Sequence, residues 1–96
     1  MYARVTNIRF APTMSREVVR VARGFAPILK EQRGFNSLNV LTDSEMGEGI
    51  IVSIWETEAD AEASEASPSY INQMSMMSSF LYAPLVPRTY AVSVRA

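Results

Sequence analysis

The chain opens with a two-residue alternation. Between Tyr2 and Ala11, Tyr2, Arg4, Ile8 and Phe10 share one parity, and Ala3, Val5, Asn7 and Arg9 share the other. That period predicts a first strand. Pro12 ends it, since the residue ahead of a proline prefers extended geometry. The period then lengthens. Val18, Ala22, Phe25 and Leu29 recur at spacings of four, three and four, drawing one apolar stripe broadened by Val21 and Ile28. Ser15 is the predicted N-cap, with Glu17 in the first turn. The helix is expected to run to about Gln32, kinked at Pro27 and stopped at Gly34.

Phe35 to Thr42 reads as a second strand with Leu38 and Val40 on one face, and Asp43 to Gly49 as a turn. Ile50-Ile51-Val52-Ser53-Ile54-Trp55 is the strongest strand, β-branched and nearly continuous. Such a run points to burial on both faces. Thr57-Glu58-Ala59-Asp60 forms a capping box for an Ala-rich helix to about Ala66. Ser67-Pro68 starts another helical segment, in which Tyr70, Met74, Met77 and Leu81 make the apolar stripe. Thr89 to Val94 reads as the last strand. The order strand, helix, strand, strand, helix, strand predicts a ferredoxin-like split βαβ, α+β domain. It has a four-stranded antiparallel sheet with helices on one face. Strand three is apolar on both faces, so the uncovered side is expected to meet a second copy, sheet to sheet.

At 96 residues there is room for one domain, spanning 1–96. Nine basic and ten acidic residues leave a net charge of −1, with a pI near 5.3. That balance speaks against a nucleic-acid partner. No apolar run reaches the roughly 20 residues of a membrane span. No apolar segment follows the charge in Met1–Thr6, so no signal peptide is read and a cytoplasmic location is expected. The chain contains no cysteine and no histidine. Disulfides, thiolate nucleophiles, Ser-His-Asp chemistry and His- or Cys-ligated metals are thereby excluded. Asp43, Glu45 and Glu48 do not follow a calcium-loop pattern, so no metal site is assigned.

Four stretches resemble the antibiotic biosynthesis monooxygenase-like proteins of the dimeric α/β-barrel superfamily. They are Ile8-Arg9-Phe10-Ala11-Pro12, Gly24 to Leu29 with Arg33-Gly34-Phe35, Val52 to Ala61, and Ala66-Ser67-Pro68. The resemblance implies a homodimer through sheet faces, with a ligand cavity between sheet and helices in each subunit. The family also includes many members with no known activity, and where there is chemistry the resemblance implies one of two kinds. One is oxygenation of a small aromatic or hydrophobic substrate without a cofactor; the other is haem degradation. The haem-degrading members use an Asn near the end of strand one, a Trp in helix two and a His. This chain has no His, and its only tryptophan, Trp55, ends strand three, so haem degradation is set aside.

For the cavity the candidates are as follows. Thr6 and Asn7 stand near the end of strand one, and matching the alternation of Ile8 and Phe10 puts Thr6 rather than Asn7 on the cavity side. Trp55 is either the seal of a core edge or a wall for an aromatic ligand. Thr6, Asn7 and Trp55 are the catalytic candidates. Arg4 shares the parity of Ile8 and Phe10; it can hold an anionic ligand or form a salt bridge at the rim. Phe25, Tyr70, Met74 and Met77 are further ligand contacts, and the methionines serve equally as plain core. Glu56, Glu58, Asp60, Glu62 and Glu65 read as a solvated helix face. The alternative to an oxygenase is a non-catalytic dimeric module that binds a small hydrophobic ligand or is purely structural. An enzyme calls for a closed cavity of roughly 300 Å³ or more with converging polar groups; a structural module fills that space with side chains.

Overall fold

The computed structural model describes residues 1–96. Its strands are β1 (Tyr2–Arg9), β2 (Phe35–Asp43), β3 (Glu48–Trp55) and β4 (Arg88–Ala91), joined in one antiparallel sheet of order β2-β3-β1-β4. This is the ferredoxin-like order that two βαβ halves generate. The register places Thr6 opposite Ile51 and Ile8 opposite Gly49. On this face Thr6, Ile8, Ser53 and Trp55 are buried. On the other, Leu41, Ile50 and Tyr90 stay 52%, 37% and 48% exposed. The chain thus buries one face of the sheet and leaves an apolar second face open.

The helical layer differs from the expectation in a way that local chemistry explains. The predicted long helix is two helices, α1 (Ser15–Arg23) and α2 (Phe25–Lys30), separated at Gly24. Pro27 therefore makes no mid-helix kink. It occupies the third position of α2, where a backbone N–H would have no partner within the helix. Ser15 is not the N-cap either. Met14 takes that position, and the Ser15 hydroxyl donates to the Pro12 carbonyl at 2.7 Å. The apolar stripe survives the break: Val18, Ala22, Phe25 and Leu29 are all buried.

The second half follows the capping signals closely. Thr57 Oγ1 accepts from the Asp60 N–H at 3.0 Å and starts α3 (Glu58–Ala63). A single 3-10 turn, Ser64–Ala66, follows. Ser67 Oγ then accepts from the Tyr70 N–H at 3.1 Å and starts α4 (Pro68–Ser78). Two ends are shorter than predicted. β1 stops at Arg9, with Phe10 forming an isolated bridge to Leu81, so Leu81 lies outside the helix whose stripe it extends. β4 ends at Ala91, which pairs with Tyr2, so no residue of β1 remains to pair with Val94, 88% exposed.

The turn between β2 and β3 is fixed from within. Asp43 Oδ1 accepts from the N–H groups of Glu45 and Met46, both at 3.1 Å. Gly47 sits at φ +69°, and its carbonyl accepts from the Phe10 N–H at 2.8 Å. A side chain there would be strained by the left-handed backbone and would strike the Phe10 carbonyl.

Trp55 closes the other end of the sheet. It is fully buried, its indole N–H donates to Ser53 Oγ at 2.8 Å, and Phe35 meets it edge-on at 5.5 Å. Trp55→Ala removes the largest buried side chain and is expected to cost about 3–5 kcal/mol of folding stability. Urea unfolding measures this directly. A loss below about 1 kcal/mol would show that the site can collapse around the missing ring.

Candidate functional site

Between the helix-facing side of the sheet and α2, α4 and the 3-10 turn lies a space with an apolar wall of Phe25, Leu29, Ile51 and Met74. Arg4, Thr6, Ser53, Ser64 and Tyr70 reach it from several elements. Strand alternation brings Arg4 and Thr6 there, and the four-residue repeat of α4 brings Tyr70 and Met74. The free volume is about 20 Å³, room for about one water molecule. The closed cavity of roughly 300 Å³ or more expected of an enzyme is not present; side chains fill the space.

The space nevertheless carries one charged side chain of the sheet, Arg4. Arg4 Nη1 donates to Thr89 Oγ1 at 2.6 Å, across the β1–β4 pair. Arg4 Nη2 is ion-paired with Glu65 of the 3-10 turn. Arg4 Nε is buried without a hydrogen-bond partner. Glu65 is thus not part of a solvated helix face. Its side chain is only 23% exposed, because the 3-10 turn swings it over the sheet to the guanidinium. No local pattern announces a partner 61 residues away in sequence. Ser53 and Ile51 were legible, since both share the parity of Trp55.

Tyr70 packs on Phe25 with ring centroids 5.5 Å apart. Burial, reinforced by the Glu65 charge and opposed by Arg4, pushes its phenol up to about 12. At neutral pH the group is therefore a hydrogen-bond donor and not a base.

The structure gathers Arg4, Thr6, Phe25, Tyr70 and Met74 at this space. Asn7 lies on the opposite face of the sheet, exposed and paired with Ile50, as the alternation requires. Trp55 approaches only through its bond to Ser53. Met77 is buried in the core beyond the wall. A larger depression, about 490 Å³, lies on the open face among Asn7, Arg9, Leu41 and Ile50. It is wide open to solvent and holds no buried charge, so the Arg4 space is the better candidate despite its size.

No group of His, Cys, Asp and Glu side chains is placed to hold a metal, and no helix is long and apolar enough to cross a membrane.

Comparison with known proteins adds the following. The family model described as antibiotic biosynthesis monooxygenase matches residues 1–72. Among solved structures, Rv0793 from Mycobacterium tuberculosis superposes with a TM-score of 0.82 at 15% identity, covering 99% of this chain and 97% of that one. A provisionally named antibiotic biosynthesis monooxygenase from Nitrosomonas europaea gives 0.84 at 13% identity, covering 98% and 100%. A conserved protein from Methanosarcina mazei gives 0.80 at 14% identity, covering 94% and 91%. At these identities the likeness is one of fold. No curated protein matches the chain.

The Tyr70 shift makes a stability prediction. The unfolded phenol ionises near pH 10 and the folded one near 12. The neutral form is thus favoured by folding, and this contribution is complete below pH 10 and lost as pH rises through 12. Relative to Tyr70→Phe, the wild type is expected to lose about 2 kcal/mol over that interval. Urea unfolding of both proteins across the interval measures it; parallel pH profiles would contradict the assignment.

Proposed function

The chain belongs to the antibiotic biosynthesis monooxygenase family, and from that premise we propose a monooxygenase-like protein that takes a small aromatic or hydrophobic molecule into the space between sheet and helices. The carrying observation is Arg4: a guanidinium set against an apolar wall, with one carboxylate partner and a buried, unpartnered Nε. Freed from Glu65, a cation so placed favours the deprotonated form of a phenol or enol bound beside it. Such an anion is electron-rich enough to react with oxygen itself. An activated CH₂ and O₂ give C=O and water. The substrate carbon loses four electrons, one oxygen atom forms the new carbonyl, the O–O bond breaks, and the other oxygen leaves with both protons as water.

In this reading Arg4 holds the anion and the protonated Tyr70 donates a hydrogen bond to a developing oxyanion. Thr6 and Ser53 line the floor, Phe25 and Met74 hold the ring, and Trp55 braces Ser53. Asn7 belongs to the open face. That face, with Val5, Ile50, Val52 and Ile54, is proposed as the contact between two copies of the chain, and the protein as a cytoplasmic homodimer. The observation favouring the second reading, a non-catalytic dimeric module, is the filled cavity of about 20 Å³. Catalysis therefore requires the side chains over Arg4 to open.

Oxygen uptake with a panel of anthrones and quinols separates the two. The oxygenase reading predicts turnover, with one oxygen atom from O₂ in the product of the anthrones, which carry the activated CH₂. Arg4→Met is expected to weaken kcat/KM by roughly tenfold to a hundredfold, the equivalent of one charged hydrogen bond. Absence of uptake across the panel by a folded protein would leave the binding module.

A further inference from the structure

Arg4 presents five N–H donors in a planar fork. Nη1 is spent on Thr89, and Glu65 reaches Nη2 alone. Nε, on the same edge of the fork as one proton of Nη2, is buried and unpaired. Glu65 is therefore a single-toothed partner, and the Nε/Nη2 edge, shaped for two oxygens, is not filled. The pair also sits at the mouth, with side chains 19% and 23% exposed. A carboxylate bridging Nε and Nη2 makes two charged hydrogen bonds where Glu65 makes one. The second hydrogen bond is what an incoming carboxylate gains over Glu65.

The segment carrying Glu65 suits such an exchange. Ser64–Ala66 is one 3-10 turn between two helices, followed by the extended Ser67 and by Pro68. Swinging Glu65 outward breaks no helix of the core. Phe25 and Tyr70 stand ready on the inner side as an aromatic wall.

We infer that Glu65 is an internal stand-in for the ligand's own anion: the site takes an aromatic molecule bearing two oxygens at carboxylate spacing, which displaces Glu65 from the Nε/Nη2 edge of Arg4 and opens the cavity. This rests on the reading of the Arg4 space as the ligand site. Glu65 acts through Arg4 and is a gating residue.

The test uses two shape-matched probes, naphthalene carboxylate and the neutral naphthalene carboxamide. Their binding is titrated by calorimetry and NMR. Wild type is expected to prefer the carboxylate. Glu65→Gln is expected to bind the carboxylate about tenfold more tightly, with the carboxamide unchanged. Arg4→Lys keeps the charge but lacks the fork, and is expected to lose the preference. A change in general packing would move both probes alike. If Glu65→Gln does not fold, the isotope-labelled Glu65 carboxylate of the wild type reports instead: its resonance moves to a solvent-exposed value with the carboxylate probe only. Equal binding of both probes, unmoved by either substitution, would overturn the exchange and leave the ligand site standing. Failure of both probes to bind any variant would overturn the exchange and the site together.

Discussion

The sheet has two apolar faces and the chain supplies helices for one. Every other feature follows from that constraint. Successive residues of β3 point to opposite sides, so Ile51, Ser53 and Trp55 go under the helices while Ile50, Val52 and Ile54 are left outside. A domain of this size buries a smaller fraction of its surface than a larger one. It cannot readily forgo the contribution of about 25 cal/mol per Å² that the exposed side chains would add. The covered face then carries two tasks at once. Trp55, Phe10, Val18 and Met77 pack it near one set of positions, and a few residues away the same layer encloses a charge.

That charge organises the candidate site. Arg4 ties β1 to β4 through Thr89 and to the turn before α4 through Glu65. Burial pushes the Tyr70 phenol up to about 12, so Arg4 and Tyr70 both face the space as donors. An assembly of donors with no free base suits the stabilisation of an anion better than the abstraction of a proton from a weak acid. In the proposed oxygenase reading the ligand brings its own readiness to ionise. The missing volume is a matter of side chains already present, Glu65 on its 3-10 turn among them.

Much of this was legible in the sequence because it rests on local rules. The alternation of β1 separated Thr6 from Asn7, and the structure keeps them on opposite faces. Thr57 and Ser67 announced their caps, and the Tyr70–Met74–Met77 stripe lies inward as its spacing requires. What escaped has physical causes. The four-three-four repeat of Val18, Ala22, Phe25 and Leu29 runs unchanged through Gly24, so periodicity could not register the break that lets Pro27 sit early in α2. The extent of β4 depends on how far β1 offers partners, and that is a property of the pairing and not of Val92 or Val94. Glu65 was hidden among other acids on an Ala-rich helix; only the turn after α3 and the fold of β1 beneath it make this one different.

The central claim is that the open face of the sheet is covered by a second copy of the chain. Sedimentation equilibrium at micromolar concentration tests it most directly. The account predicts a species of twice 10.7 kDa that Ile50→Lys splits into folded monomers. A wild-type protein that sediments at 10.7 kDa throughout this range would contradict it.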